Sequence, residues 1–164
     1  MAAVRLSSIG HTGITVSDLD RAVAFYRDVL GLPVSATVHC TGEMFEQITG
    51  VRGAEIDVCF VRAPNHIIEL LCYRKPERRV RSTLRSCDPG FWHIALKVND
   101  IDRVIAAVEG AGFRPLGAVQ GVTDGPLKGL RVVYVRDPDG VVLELLEEPP
   151  GVVLEELYLG SAPR

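Results

Sequence analysis

The sequence contains the same pattern twice, and this duplication restricts the fold more than any other feature. A segment that begins at His11, HTGITVSDLDRA, aligns without a gap to a segment that begins at His93, HIALKVNDIDRV. Further along, HIIELLCY resembles VVLELLEE, and the alignment places Glu69 on Glu144. Each half therefore opens with a histidine segment and closes with a Glu-Leu-Leu segment.

The two halves also repeat the same order of predicted elements. Capping-box patterns that begin at Ser17 and Asn99 precede apolar residues at helical spacing, and Gly31 and Gly112 lie where these helices end. One strand precedes each helix and three follow it. The predicted strands are 9–16, 34–41, 55–62 and 66–73 in the first half, and 92–98, 113–120, 130–136 and 141–147 in the second. Each half is therefore predicted to be a βαβββ module.

Length and composition favour one soluble globular domain. We expect a single domain over residues 1–148, followed by a tail over 149–164; its modules span about 8–74 and about 91–148, and a basic linker at 74–90 joins them. The net charge of −3 gives no global attraction to nucleic acid or to an anionic membrane, and no apolar run is long enough to span a bilayer. The four cysteines form no CxxC pair, which is typical of reduced thiols in a cytoplasmic protein.

Strand alternation predicts different surroundings for the repeated histidines and the repeated glutamates. His11 and His93 lie on the less apolar face of their strands, whereas Glu69 and Glu144 are each flanked by apolar residues on their own face. A carboxylate in such surroundings is expensive to bury alone. A divalent metal ion would offset this cost, because two neutral imidazoles and two carboxylates balance its charge.

We therefore predict a metal site formed by His11, Glu69, His93 and Glu144, related by a pseudo-twofold axis. An N2O2 ligand set leaves up to two positions for water or substrate and suits Ni, Co, Mn, Fe(II) or Zn. The predicted fold is α+β, with two tandem βαβββ modules forming a curved mixed sheet around a metal cavity. His39 and His66 have no counterpart in the repeat and are expected to be solvated or locally hydrogen bonded.

These motifs resemble the vicinal oxygen chelate superfamily, which includes glyoxalase I, methylmalonyl-CoA epimerase, extradiol dioxygenases, and fosfomycin- and bleomycin-resistance proteins. The resemblance covers residues 9–148 and implies the same four metal ligands. The His-Glu-His-Glu ligand set is similar to that of bacterial glyoxalase I, whereas the Glu-Leu-Leu sequence at Glu69 is similar to the corresponding sequence of the epimerases. The resemblance also implies a homodimer, and some relatives build each site from halves of two chains.

The reaction that the resemblance implies is removal of a proton next to a carbonyl, by a metal-dependent isomerase, epimerase or lyase. Glu69 and Glu144 are candidate bases as well as ligands. Glu46 is a third candidate, because the segment EMFEQITGV resembles an epimerase stretch that holds a catalytic glutamate. The alternative for Glu46 is an ordinary solvated loop carboxylate.

Two other classes of function remain open. Residues Val133 to Glu144 fit the second half of an extradiol dioxygenase fingerprint, but residues 125–127 are Gly-Pro-Leu where that fingerprint needs a histidine. A non-catalytic binding or resistance protein is the other alternative, and four intact ligands count against it. Oxygen consumption would distinguish the dioxygenase, and bound metal would distinguish both enzymes from the binding protein.

The basic linker is a candidate anion site for a small-molecule substrate. Its cations could hold the phosphates of a CoA thioester or a carboxylate; the alternative is a solvated charged linker. The residues concerned are Arg74, Lys75, Arg78, Arg79, Arg81 and Arg85.

Overall fold

The computed structural model describes residues 5–152 and residue 154. The chain divides into two compact units, residues 1–80 and residues 81–164, and each unit builds its own β-sheet. Within the described residues, no helix has the length and apolar character that crossing a membrane requires.

The first unit is a four-stranded mixed sheet with its helices in the connections. Its sheet has the order β1-β4-β3-β2; β1 runs parallel to β4, and the other pairs are antiparallel. The elements are β1 (Thr12–Thr15), α1 (Leu19–Ala24), a π-helical segment (Phe25–Val29), β2 (Val38–Thr41), α2 (Glu43–Thr49), β3 (Glu55–Ala63) and β4 (His66–Lys75).

The second unit repeats this topology. Its sheet has the order β5-β9-β8-β6, β7 also pairs with β8, and β5 runs parallel to β9. The elements are β5 (Ile94–Lys97), α3 (Ile101–Gly110), β6 (Arg114–Pro115), β7 (Gln120–Gly121), β8 (Arg131–Arg136) and β9 (Val142–Glu147). The predicted α+β class and the βαβββ order of both halves are confirmed, while the metal cavity stays a prediction.

The helix caps lie one residue later than the sequence pattern predicts. The N-cap residues are Asp18 and Asp100, whose carboxylates each accept a hydrogen bond from the backbone N–H three residues further on, at 2.9 and 3.0 Å. The prediction of caps at Ser17 and Asn99 was therefore wrong by one position. An aspartate suits this position because its charge also complements the positive end of the helix.

Two elements differ from the predicted pattern. Helix α2 was not predicted, because its N-cap is Gly42, which has no side chain to supply a capping signal. The predicted strand 113–120 is instead divided into β6 and β7. Pro115 lies at this break, and proline cannot donate a hydrogen bond to a sheet.

In each sheet, the face opposite the candidate glutamates is lined by buried aliphatic side chains. Ile68 and Leu70 flank Glu69 in β4, and Leu143 and Leu145 flank Glu144 in β9; all four aliphatic side chains are buried. Burial of each such side chain stabilises the fold by roughly 1.5–3 kcal/mol. Because neighbouring residues of a strand point to opposite faces, this burial fixes both glutamates on the other face.

Candidate metal centre and active site

The first unit brings His11 and Glu69 together. His11 immediately precedes β1, and the parallel pairing of β1 with β4 places Gly13 opposite Glu69. The Nε2 atom of His11 lies 3.2 Å from Oε2 of Glu69, and the side chains are 48% and 20% exposed. The carboxylate is therefore largely shielded, whereas the imidazole stays open to solvent.

The second unit brings His93 and Glu144 together in the same way. His93 immediately precedes β5, and Ala95 is the residue paired with Glu144. The Nε2 atom of His93 lies 3.0 Å from Oε2 of Glu144, and the side chains are 31% and 19% exposed. In both units the glutamate faces the residue two positions after the histidine, so the duplication extends to the register of the pairs.

The donor atoms of each pair have a chemistry and a spacing that are compatible with two ligands of one divalent ion, and also with a His–Glu ion pair. Two ligands that lie about 2.1 Å from an ion, at right angles to each other, are about 3 Å apart. The measured separations of 3.2 and 3.0 Å match such an edge. Within the described residues of either unit, no third His, Cys, Asp or Glu joins the pair to form a complete site. Each unit therefore brings together two of the candidate ligands, one nitrogen and one oxygen.

An aromatic residue lies beside each pair. Phe60 is the β3 residue opposite Glu69, and its ring meets the His11 ring edge-on at 6.4 Å. Tyr134 is the β8 residue opposite Glu144, and its ring centroid lies 4.8 Å from that of His93. Burial and the negative charge of Glu144 raise the pKa of the Tyr134 phenol. The phenol thus stays protonated at neutral pH, whereas Phe60 has no hydroxyl.

Phe60 was not predicted to be a site residue, although the sequence contains a signal for it. The two-residue turn Pro64-Asn65 joins β3 to β4 and fixes their antiparallel register. That register makes Phe60 the partner of Glu69. Counting back from the turn would therefore have found it.

Glu46, the third candidate base, lies on helix α2 and not on a loop. Its side chain is half-buried, and its backbone carbonyl accepts the N–H of Gly50 at the end of the helix. No described contact joins its carboxylate to His11 or Glu69. Its role as a base stays a prediction.

Most cations of the basic linker are paired with carboxylates of their own unit. Four of the six predicted anion-binding residues have such partners. These pairs are Arg74 with Asp57 at 2.6 Å, Lys75 with Glu55 at 2.8 Å, Arg81 with Asp139 at 3.4 Å, and Arg85 with Asp88 at 2.8 Å. Arg79 donates to the carbonyl of Pro76. Of the six predicted anion-binding residues, only Arg78 and Arg79 have no described carboxylate partner, so they are the remaining candidates for an anion site.

The remaining histidines have the local partners that were predicted. His66 is hydrogen bonded through Nε2 to the Thr12 hydroxyl at 2.8 Å, and His39 through Nδ1 to Asp57 at 2.8 Å. Burial tends to raise the pKa of Asp57, but the hydrogen bonds from His39 and Arg74 outweigh it and leave that pKa below its ordinary value. The four cysteines are free, as expected.

Solved structures with the same fold include glyoxalase family and fosfomycin resistance proteins. A glyoxalase family protein from Bacillus cereus superposes with a TM-score of 0.76 at 24% identity, over 90% of this chain and 98% of that one. The fosfomycin resistance protein FosX from Listeria monocytogenes, solved with Mn(II) and sulfate, superposes with a TM-score of 0.58 at 16% identity, over 93% and 99%. At these identities the likeness shows the fold alone.

Sequence comparison gives a relative and a family. A 2-epi-5-epi-valiolone epimerase from an Actinomyces species is 33% identical over 115 residues, which are 67% of this chain and 62% of that enzyme. This chain thus spans less than two thirds of the length of that relative. The family model of the Glyoxalase/Bleomycin resistance protein/Dioxygenase superfamily matches residues 8–145. With the duplicated βαβββ topology and the repeated His–Glu pairs, this match means that the chain belongs to that superfamily.

Proposed function

We propose that this chain is a divalent-metal-dependent epimerase, or a related isomerase or lyase, that removes a proton from the carbon next to a carbonyl. The proposed metal ligands are His11, Glu69, His93 and Glu144. The observation that carries the proposal is the repeated pair: each unit holds an imidazole nitrogen about 3 Å from a carboxylate oxygen, in the same strand register.

The charge of the ligand set supports a divalent ion. Two neutral imidazoles and two carboxylates carry a net charge of −2, which a divalent ion balances. When bound, the ion would supply Lewis acidity that stabilises negative charge developing on the carbonyl oxygen. Structural zinc sites fill all four tetrahedral positions with protein ligands. Four protein ligands around an octahedral ion instead leave two positions open for water or substrate.

The carboxylates are the groups that would move the proton. One glutamate supplied by each half gives the enzyme one base to remove the proton and a second to return it, which produces epimerisation. A single carboxylate that removes and returns the proton would give isomerase or lyase chemistry. Glu69 and Glu144 are the first candidates, and Glu46 is the third. The similarity to an epimerase supports the two-base reaction, which is epimerisation.

Metal analysis is the first test. Purified protein should contain nearly stoichiometric Ni, Co, Zn, Mn or Fe, and the variants His11→Ala and Glu144→Ala should lose it. His39→Ala is a matched control, because His39 also lies 2.8 Å from a carboxylate but has no counterpart in the repeat. Metal-free wild-type protein, even after reconstitution with each ion, would refute the proposal.

Proton exchange is the second test. The metal-loaded protein is incubated in D2O with 2-epi-5-epi-valiolone, the compound named for the relative, and deuterium incorporation next to the carbonyl is followed by NMR. Three single variants show which carboxylate moves the proton: Glu69→Gln, Glu144→Gln and Glu46→Gln. Exchange that survives in all three variants with metal still bound would exclude these carboxylates. The homodimer stays a prediction, and analytical ultracentrifugation tests it by measuring the molecular mass in solution.

A further inference from the structure

Three aromatic rings form a continuous patch beside the second His–Glu pair. Phe91 stacks on Tyr134 with ring centroids 6.3 Å apart and an interplanar angle of 29°. His93 lies 4.8 Å from Tyr134 and 6.2 Å from Phe91. All three residues are only partly buried, so their rings are accessible to a ligand. We refer to Phe91, His93 and Tyr134 as the aromatic patch.

The turn before β5 holds Phe91 in place. Asp88 accepts hydrogen bonds from the backbone N–H of Arg85 at 2.7 Å and from its guanidinium at 2.8 Å. The backbone carbonyl of Asp88 in turn accepts the N–H of Phe91 at 3.0 Å. Arg85 therefore has a structural role in this turn, and the Phe91 ring is positioned before any ligand arrives.

Two cations of this sheet are already paired with carboxylates. Arg131 pairs with Asp102 and Glu147, both at 2.8 Å. Lys97 pairs with Glu148 at 2.7 Å. Neither Lys97 nor Arg131 is therefore available to hold a phosphate or carboxylate at the patch.

Arg136, the remaining cation of β8, is directed elsewhere. It donates from its guanidinium to the carbonyl of Leu84 at 2.5 Å, and its Nε atom is buried. The groups that the patch offers a ligand are therefore ring faces, a phenol hydroxyl, and the imidazole and carboxylate of the neighbouring pair.

We infer that the aromatic patch is the substrate subsite, and that the substrate class is a neutral, hydroxylated, saturated ring ketone. The inference rests on the proposed function, because proton removal requires a C–H carbon next to a carbonyl and so excludes a fully aromatic ring. The C–H face of a saturated ring packs on aromatic faces, while its hydroxyls and carbonyl meet the polar groups at the edge. Lys97, Arg131 and Arg136 are engaged by other groups, so none of these three cations is left for the phosphates of a CoA thioester.

Binding of a neutral and a charged probe tests the inference without requiring turnover. The neutral probe is scyllo-inosose, a pentahydroxycyclohexanone, and the charged probe is methylmalonyl-CoA. Each is titrated into the metal-loaded full-length protein by calorimetry, and saturation-transfer NMR identifies the ligand protons that contact the protein. We expect millimolar or tighter binding of scyllo-inosose, with saturation strongest on its ring C–H protons.

The variant Phe91→Leu keeps an apolar side chain and removes the ring. We expect it to weaken scyllo-inosose binding by about three- to tenfold, the usual effect of one aromatic contact. Trp92→Leu is the matched control, since Trp92 is the adjacent residue, is 46% exposed and makes no ring contact with the patch. Urea midpoints of the variants verify folding, and Tyr134→Leu provides a second test because it removes another ring of the patch and should weaken binding to a similar extent.

Several results would overturn the inference: no saturable scyllo-inosose binding, an equal loss in Trp92→Leu, or tighter binding of methylmalonyl-CoA that Arg78→Glu and Arg79→Glu abolish. The failure of the proposed function is a separate result. Metal-independent proton exchange with Phe91-dependent binding would refute the metal role and keep the subsite. Metal-dependent exchange confined to methylmalonyl-CoA would refute the subsite and keep the metal role.

Discussion

Replacement of Gly140 by alanine tests how the end of the basic linker is attached to the second sheet. Gly140 lies in the turn before β9 and has a φ of +93°, a conformation that side chains rarely adopt. A Cβ atom built there would overlap the backbone carbonyl oxygen of Ser82. Ser82 is held against the same turn by a hydrogen bond from its N–H to the carbonyl of Asp139 at 3.3 Å. The added methyl group therefore has to displace backbone.

The expected cost has two parts. The left-handed conformation costs roughly 1–2 kcal/mol for alanine. Displacement of Ser82 breaks the hydrogen bond to Asp139, which adds about 1 kcal/mol, and it loosens the packing of the segment. We expect Gly140→Ala to lower the free energy of unfolding by about 2–4 kcal/mol in total.

Two control glycines separate these parts in urea unfolding experiments. Gly125 has a φ of +76° with nothing within 4 Å of a built Cβ, so Gly125→Ala should show the conformational cost alone. Gly117 has open space and no positive φ, so Gly117→Ala should be nearly neutral. If Gly140→Ala destabilises the protein no more than Gly125→Ala, the contact between Ser82 and the turn does not exist in solution.

Three further predictions concern the metal, a partly buried carboxylate and a helix cap. A chelator should lower the Tm of wild-type protein and leave that of His93→Ala unchanged, because ligand binding stabilises only the native state, by about 4 kcal/mol at a thousandfold excess over Kd. Asp57→Asn should cost about 1–3 kcal/mol at neutral pH. The pKa of Asp57 is lowered in the folded protein, so its ionised form stabilises the fold at pH values above the unfolded-state pKa of about 3.9. This stability is lost as the pH falls through the folded-state pKa. The difference in unfolding free energy between wild type and Asp57→Asn, measured in urea, should therefore shrink in acid. Asp100→Ala, which removes the N-cap of α3, should cost about 0.5–2 kcal/mol in the same assay.

The duplication allowed the fold and the candidate ligands to be predicted from sequence. Because both halves carry the same residue types at matching positions, a residue that is uninformative alone, such as Glu69, gains meaning from Glu144. Strand alternation then predicted the face of each glutamate, and the burial of Ile68 and Leu70 agrees with that prediction.

Features without a counterpart in the repeat were harder to predict. Helix α2 has no counterpart in the described part of the second half and its N-cap is a glycine, so neither the repeat nor a capping side chain indicated it. The pairing of linker cations depends on contacts distant in sequence, such as Lys75 with Glu55, which charge patterning alone does not predict. The aromatic patch likewise depends on a turn conformation that places Phe91 over Tyr134.

The two glutamates are not equivalent, and the residue that faces each one indicates which has more freedom to move. Ala95 faces Glu144, whereas Gly13 faces Glu69 and leaves space that a methyl group would fill. A Cβ built at Gly13 would lie 3.5 Å from Oε2 of Glu69 and 3.4 Å from Cδ1 of Leu71, so alanine fits but confines the carboxylate.

This difference favours Glu69 as the carboxylate that moves to take the proton and Glu144 as the fixed ligand. Gly13→Ala makes the first unit resemble the second at this position. We expect it to retain metal and to slow deuterium incorporation severalfold, because the base has less room to swing towards the substrate carbon. Ala95→Gly, the reverse change beside Glu144, is the control and should leave the exchange rate within about twofold. An unchanged rate in Gly13→Ala would mean that the space at Gly13 does not serve the movement of Glu69, and Glu144 or Glu46 would then become the leading candidate for the base.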